Sequence, residues 1–378
     1  MIVVVGATLA GLAAAARLAR VGHEVVVLER LPEVALLPSP LDDDPGLVVL
    51  PAAWRDLFKK SGRPLAGALG QHRLQLVPAP PADYATPAGR LSLPADRAGQ
   101  WHSLVDAVGV PTATAWRDLL DRLDATWLAL RPLGVEAEFT APRLDRTTRT
   151  ALRTGESLAD LAGTVGPLGG LLTDLAVRRD SDPRRTPGWL ATRLSLERNF
   201  GRWRLVDAAG APQPSRRLAD VLLQRVAERG VDLRWATGAR RVSPGRVSAE
   251  DGPLVAAAVI VTTSPWRFAA LTGERAPRRL SPATTAGPRW QGWRTLLDLP
   301  RLRTRLPGVY AASAFSPAGP EPWAQLLTGA LAAYRVHQDL TGQDMRPGNR
   351  TWQPPPLPRQ ARTVTSTSTN MSDSLGPE

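Results

Sequence analysis

The chain opens with apolar and small-residue blocks that predict a nucleotide-binding unit. Ile2–Val5 is a continuous apolar run, as expected for a strand buried on both faces of a parallel sheet. An alanine-rich helix is predicted over 10–21, with Gly22 as its C-terminal cap. A second strand follows at Val25–Leu28. A strand, a glycine turn, a helix and a strand within about 30 residues indicate a βαβ unit of the Rossmann type.

The remaining pattern predicts a helical middle block followed by a return to α/β structure. Apolar residues recur at helical spacing between Trp116 and Trp127, which predicts a helix over 112–130. The other predicted elements are helices at 51–60, near 156–178, at 187–198, 217–229 and 323–334, small strands within 65–93, and strands at 231–235, 258–263 and 308–313. From about residue 341 the Pro-, Ser- and Thr-rich composition predicts a disordered tail.

Composition and charge narrow the function classes only slightly. The 378 residues carry a formal net charge of +12, but Lys59 and Lys60 are the only lysines and the arginines are scattered. A solvated arginine surface explains this charge better than a nucleic-acid site, since no nucleic-acid-binding motif is present. The absence of cysteine excludes disulfides and a cysteine nucleophile. The four histidines lack metal-ligand spacing, so no metal site is predicted.

The N-terminal segment and the lengths of the apolar runs predict the localisation. No basic leader and no apolar run of membrane-spanning length is evident, so we expect a cytoplasmic protein. Peripheral contact with anionic lipid is the alternative that a basic surface favours. The sequence does not define the oligomeric state.

The segment VVVGATLAGL, residues 3–12, carries the chemistry of the βαβ unit. In a GxGxxG turn the first glycine permits the turn, the second admits the pyrophosphate, and the third lets the helix pack on the strand. Gly6 and Gly11 hold the first and third places, whereas Thr8 replaces the second. The Thr8 side chain projects toward the pyrophosphate path, although its hydroxyl can donate to phosphate. Glu29, at the end of the second strand, suits a ribose diol and favours FAD or NAD over NADP.

Four segments in colinear order resemble the flavin-dependent amine oxidases and phytoene desaturases. GATLAGLAAAARLARVGHEVVVLER, residues 6–30, is similar to the opening of these proteins. Residues 42–65 (DDDPGLVVLPAAWRDLFKKSGRPL) resemble the segment after their arginine loop. Residues 200–235 (FGRWRLVDAAGAPQPSRRLADVLLQRVAERGVDLRW) resemble the return to the FAD domain, and residues 308–333 (GVYAASAFSPAGPEPWAQLLTGALAA) the C-terminal flavin motif. The resemblance implies an α/β Rossmann-type FAD/NAD(P)-binding domain assembled from discontinuous segments, with a mostly helical cap or substrate domain.

The resemblance also implies FAD as the cofactor and a set of contacts to it. The residues expected to face the pyrophosphate are Gly6, Thr8, Ala10 and Gly11. Glu29 would hold the adenosine ribose with Arg30 alongside, and Ala239 would contact adenine through its backbone. The residues expected near the ribityl chain and flavin ring are Ser313, Gly319, Trp323 and Ala324. Backbone N–H groups at the start of the helix at 323 would stabilise negative charge on the reduced flavin.

On this basis the chain divides into six predicted segments. Residues 1–60 and 197–268 are the two parts of the dinucleotide-binding domain, and 61–196 the cap or substrate domain. Residues 269–307 are the remnant of a shortened substrate domain, 308–340 the flavin-motif segment, and 341–378 the tail. The small-molecule substrate is expected to be apolar or an amine, and its hydride would pass to the flavin.

Departures from the family pattern support a second hypothesis about the function. The segment LPEVALLPS, residues 31–39, lacks the glycine pair of the family's GGR loop, and Ala312 and Ser313 stand where a glycine and a polar residue are usual. A non-catalytic relative that has lost the flavin and acts as a binding or scaffold protein is therefore the alternative. No catalytic acid or base is predicted, because the acidic run Asp42–Asp44 is better explained as a solvated loop.

The tryptophans allow one more hypothesis about the pocket. Those within predicted helices, such as Trp54, are expected in the core. The residues Trp203, Trp290, Trp293 and Trp323 lie in segments that the family places near its pocket. They would suit an apolar substrate, although ordinary packing explains each one taken singly.

Overall fold

The computed structural model describes residues 1–32, 46–87, 89–282 and 287–346. The strands are β1 (Ile2–Val5), β2 (Val25–Leu28), β3 (Leu47–Val49), β4 (Leu74–Pro78), β5 (Ala82–Thr86), β6 (Gly89–Leu93), β7 (Arg202–Asp207), β8 (Asp232–Arg234), β9 (Ala239–Ser243), β10 (Arg246–Ala249), β11 (Gly252–Val255), β12 (Ala258–Val261), β13 (Ser281–Pro282), β14 (Pro288–Arg289) and β15 (Val309–Ala311). The α-helices are α1 (Leu9–Arg20), α2 (Pro51–Ser61), α3 (Leu65–Gln71), α4 (Arg97–Leu130), α5 (Arg146–Ala151), α6 (Leu158–Gly163), α7 (Gly169–Val177), α8 (Thr192–Phe200), α9 (Arg217–Glu228), α10 (Pro265–Thr272), α11 (Thr295–Asp298) and α12 (Pro322–Thr341). The acidic run Asp42–Asp44, most of segment 31–39 and the tail beyond Arg346 lie outside the described residues.

Five parallel strands in the order β15-β12-β1-β2-β8 form the central sheet. Ile2 and Val4 point to one face and pack with α1, α2, α9 and α12. Val3 and Val5 point to the other face and pack with the β9–β11 sheet and α10. Covering both faces explains why β1 is apolar at every position. The predicted α/β fold, with a Rossmann-type domain built from discontinuous segments, is confirmed.

The first and last helices of this domain approach each other unusually closely. A Cβ atom placed on Gly329 of α12 would lie 2.2 Å from the Ala10 carbonyl oxygen of α1, so only glycine fits there. The contact joins the N-terminal βαβ unit to the C-terminal segment. Helix α12 starts at Pro322, one residue before the predicted position, and continues to Thr341, seven residues beyond the predicted end.

The helical middle block has a core of its own. Apolar residues of α4, α6, α7 and α8, among them Trp116 and Leu172, pack together there with residues of β6. The helix predicted over 112–130 is the second half of α4, which breaks at Gly109 (φ 79°) just before Pro111 and begins at Arg97. The prediction of strands alone within 65–93 is wrong at Leu65–Gln71. Pro64 precedes a helix there, and the segment LAGALGQ contains no β-branched residue.

A second, antiparallel sheet has the order β3-β7-β4 and lies outside the central one. Its middle strand, β7, comes from the segment predicted as the second part of the dinucleotide-binding domain. The bounds of the six predicted segments stay predictions. Within the described parts of the chain, we find no helix long and apolar enough to cross a bilayer.

Candidate dinucleotide-binding site

The glycine turn lies at the carboxyl end of β1 and is held from the neighbouring strand. Gly6 has a φ of +108°, and a Cβ there would lie 2.6 Å from the Thr262 Oγ1 atom. The Thr262 hydroxyl, just after β12, lies 3.1 Å from the Val5 carbonyl oxygen and 2.9 Å from that of Gly6, and it donates to this pair. A Cβ on Gly11 would lie 2.2 Å from the Gly6 oxygen. Both glycines are therefore required for α1 to approach the strand so closely.

Thr8 is the N-cap of α1. It has an extended backbone (φ −73°, ψ 167°), and its Oγ1 accepts a hydrogen bond from the Gly11 N–H at 3.2 Å. The hydroxyl hydrogen stays available for donation to a phosphate oxygen. The N–H groups of Leu9 and Ala10 belong to the first turn and have no intrahelical acceptor. The helix start therefore keeps the donors and the positive dipole end that an anionic group needs, despite the missing second glycine.

The Glu29 carboxylate ties the turn to the end of β2. One oxygen accepts from the Ala7 N–H at 2.8 Å and the other from the Leu31 N–H at 2.9 Å. Since each carboxylate oxygen accepts about two hydrogen bonds, both can still receive a ribose hydroxyl. Arg30 is exposed, and its Cγ would lie 3.3 Å from a Cβ placed on Gly238. Arg30 thus lies beside the start of β9.

Ala239 is buried at the first position of β9. Its carbonyl oxygen accepts a hydrogen bond from Arg267 Nη2 of α10 at 2.8 Å. This carbonyl is therefore engaged by the protein, and the predicted adenine contact would need its second lone pair or its N–H. The Arg267 contact was not predicted, because it joins residues far apart in the sequence.

The residues predicted near the flavin ring follow β15 and lead into α12. The Ala312 N–H donates to the Val261 carbonyl at 3.0 Å, which places this segment at the same edge of the sheet as the glycine turn. Ser313 is buried, and its hydroxyl accepts from the Phe315 N–H at 3.2 Å. Gly319 has a φ of +101° and lies against the Glu321 carboxylate, where a Cβ would come within 2.8 Å of Oε2.

Trp323 and Ala324 form the first turn of α12 and are buried. The ring of Trp323 is 6% exposed and packs edge-on against Trp127 at 5.7 Å between centroids. Its indole N–H has no acceptor among the described residues. An unsatisfied buried donor is costly, and the Trp116 indole in the cap core is unpaired in the same way. Trp290 packs edge-on against Trp189, and Trp203 lies under the Arg55 guanidinium group, so ordinary packing accounts for these two rings.

Two charged residues that the sequence analysis missed lie at the start of α12. Glu321, the N-cap residue, is buried and forms an ion pair with Arg179, which follows α7. The Arg179 Nη1 group donates to the Leu175 carbonyl at 2.7 Å. The pair links the cap to the dinucleotide domain. Neither residue belongs to a recognisable motif, so no sequence signal marks them.

A histidine pair lies at the opposite end of the sheet. His23 Nε2 and His337 Nδ1 are 2.9 Å apart, and the Ile2 N–H next to them donates to the Glu24 carbonyl. Burial, then His337 and the N-terminal amine, lower the pKa of His23 below its ordinary value of 6.5. The folded protein therefore binds fewer protons than the unfolded chain just below pH 6.5, so this pair makes stability fall as the pH decreases through that region.

The site residues thus divide into two groups on one edge of the sheet. The turn residues and Glu29 lie at the carboxyl ends of β1 and β2, and the segment from Ser313 to Ala324 follows the carboxyl end of β15. Ligands of open α/β sheets bind at these carboxyl ends. The donor set fits a dinucleotide cofactor such as FAD. The observations that support this fit are the N–H groups in the first turn of α1 and the acidic Glu29 at the end of β2.

Comparison with known proteins agrees with this geometry. A family model described as an NAD(P)-binding Rossmann-like domain matches residues 4–54. The structure of cyclohexylamine oxidase from Brevibacterium oxydans IH-35A aligns with a TM-score of 0.53 at 13% identity, over 90% of this chain and 99% of the oxidase. The chain has the fold of this amine oxidase. At such identity the likeness shows the fold alone.

Other structural matches are weaker. A triple variant of putrescine oxidase with redesigned cofactor binding gives a TM-score of 0.47 at 17% identity, over 74% of this chain and 61% of the oxidase. An oxidoreductase from Methanosarcina mazei gives 0.38 at 14% identity, over 74% of this chain and 62% of the other. The chain thus spans about three fifths of the length of either protein. No protein with a curated description matches the sequence.

Proposed function

We propose that the protein is an FAD-dependent oxidoreductase that removes a hydride from an apolar or amine substrate. One observation carries the proposal. The glycine turn, which Thr262 and Glu29 hold in place, lies at the carboxyl ends of the parallel strands. The N–H groups at the start of α12, which no side chain caps, follow the carboxyl end of β15 in the same sheet. The surrounding fold is that of an amine oxidase. This arrangement supports a ligand that is anionic at one end and stretches from β2 to α12.

Each group of residues has a role in this proposal. The start of α1, with the Thr8 hydroxyl, would hold the pyrophosphate, and the Glu29 carboxylate would accept from the adenosine ribose. FAD, when bound, supplies the hydride acceptor. The N–H groups of Trp323 and Ala324 would stabilise negative charge next to them, because they lie at the positive end of α12. Burial of Trp323 against Trp127 excludes water from this end of the site.

The visible absorption spectrum of the purified protein tests the proposal. The protein is mixed with FAD, excess cofactor is removed by gel filtration, and the retained flavin is quantified. We expect a stoichiometric flavin spectrum that bleaches when a substrate amine or a chemical reductant is added without oxygen. A colourless protein, or a retained flavin that neither can reduce, would refute the proposal.

The second candidate is a non-catalytic relative that acts as a binding or scaffold protein. It is favoured by the Arg179–Glu321 pair, because Glu321 places a negative charge beside the start of α12, where an anionic group of the cofactor would be repelled. Thr8, as the N-cap, also takes one of the N–H groups that a phosphate would use. The same spectrum separates the two candidates, since this one predicts no retained FAD in either the purified or the FAD-treated protein.

A further inference from the structure

A group of arginines and threonines lies on the surface of the cap, at and just after helix α5. Arg146, Arg149 and Thr150 share one face of this helix, because residues three and four positions apart are neighbours on a helix. Just after the helix the chain turns at Arg153, whose φ is 49°. These four residues and Glu156 are among those that line one open groove of about 610 Å³. The fold thus gathers three arginines around a single concave surface.

The acidic side chain of this groove is already neutralised. Glu156 accepts a hydrogen bond from Arg153 Nε at 2.7 Å and forms an ion pair with the Nη2 group of the same arginine. It is the only acid among the described residues that line the groove. The nearby Asp145 caps α5, where its carboxylate accepts from the Thr148 N–H at 2.7 Å. The charge that a ligand would meet in the groove is therefore set by the two remaining arginines.

Arg146 and Arg149 are exposed and available to a ligand. Within the part of the chain that the structure describes, neither has a carboxylate partner. The Arg149 Nε group donates to the Asp145 carbonyl at 3.3 Å, which leaves its terminal amino groups for another acceptor. Two guanidinium groups that line the groove can therefore donate to an anion without breaking an ion pair.

The aromatic ring of Trp293 keeps a further positive charge beside Arg149. The Cζ atoms of Arg149 and of Arg294, the residue before α11, lie 5.9 Å and 5.5 Å from the centroid of this ring. Cation–π attraction restrains both guanidinium groups, which a freely solvated arginine would not experience. Two like charges held on one ring repel each other, and an anion bound next to them would relieve the repulsion.

We propose that this groove binds a phosphate group, which Arg146 and Arg149 would hold with the Thr150 hydroxyl. Arginine forks match phosphate oxygens, and a phosphate offers three acceptor oxygens to donors from three side chains. The inference goes beyond the proposed function, because α5 belongs to the cap and takes no part in the glycine turn. A phosphorylated molecule in solution and the headgroup of a phospholipid share this chemistry.

The test measures phosphate binding to the full chain with two probes. Inorganic pyrophosphate is titrated by calorimetry in the presence of excess FAD, so that the glycine turn does not compete for the probe. Co-sedimentation with phosphatidylglycerol vesicles, compared with phosphatidylcholine vesicles, tests the lipid source. We expect R146Q/R149Q to weaken the binding by at least about tenfold, as charge-assisted hydrogen bonds are lost. R146K/R149K keeps the charge but loses the forks and should lie between the two.

The matched control is R275Q/R278Q, which removes two exposed arginines after α10 and changes the net charge equally. Binding in this variant should equal that of wild type. Failure of wild type to bind either probe, unchanged binding in R146Q/R149Q, or an equal loss in R275Q/R278Q would each overturn the inference. Pyrophosphate binding that depends on Arg146 and Arg149, without vesicle binding, would uphold it for a soluble ligand. Vesicle binding with the same dependence would uphold it for a lipid headgroup.

Discussion

Replacing Gly329 by alanine tests the closest contact in the fold. The new Cβ would lie 2.2 Å from the Ala10 carbonyl oxygen, about 1.2 Å short of the 3.4 Å at which ordinary contacts begin. The opposing atom is backbone, so it cannot rotate away, and α1 and α12 must move apart. Overpacking of this kind costs about 3 kcal/mol at the upper end of its usual range. The helix preference of alanine over glycine returns up to about 1 kcal/mol.

We therefore expect G329A to be destabilised by about 2 kcal/mol, measured by urea denaturation followed through tryptophan fluorescence. The matched control is G170A in α7, where a Cβ would meet no atom within 4 Å. That variant should be neutral or stabilised by less than about 1 kcal/mol. If G329A unfolds at the same urea concentration as G170A, the close approach of α1 and α12 is refuted. Because Ala10 moves with α1, we also expect weaker FAD uptake.

Four further predictions concern the glycine turn, Glu29 and the histidine pair. T8A should lose about 1 kcal/mol of stability with its N-cap, whereas T8S should not; equal denaturation midpoints would contradict the cap. T8G removes the hydroxyl that would hold the pyrophosphate and should weaken FAD binding in a fluorescence titration; binding as tight as that of wild type would exclude this role of Thr8. E29Q should weaken FAD binding by about tenfold, because an amide has one acceptor oxygen where the carboxylate has two; unchanged affinity would exclude the ribose role. Thermal stability should fall as the pH drops below 6.5, and H23Q should flatten this dependence; an identical pH profile in H23Q would refute the role of His23.

The sequence predicts the elements whose signals are local. The βαβ unit and α9 are found where their apolar periodicity and glycine caps indicate. The β3-β7-β4 sheet was not predicted, because β3 has three residues and pairs with a strand more than 150 positions later. The first half of α4 was missed, since Gly109 and Pro111 resemble the end of a helix.

The candidate site also combines residues that a local motif predicts with residues that only the folded structure brings together. Gly6, Thr8 and Glu29 form one continuous motif, so their positions follow from spacing alone. Thr262 and Gly329 support that motif from distant parts of the chain, and their types, a threonine after a strand and a glycine within a helix, are common elsewhere. The Arg179–Glu321 ion pair was missed because it joins two residues far apart in the sequence that meet only after folding.

The bracing of the glycine turn by Thr262 has a consequence for biosynthesis. The hydroxyl that fixes Gly6 lies 256 positions along the chain, and β12 pairs with β1 only when that segment exists. Until then, a nascent chain can pair β1 with β2 but exposes the other edge of β1, which is a template for aggregation. The glycine turn can therefore take its final form only after residue 262 has been synthesised, and a product truncated before residue 258 would leave one edge of β1 unpaired.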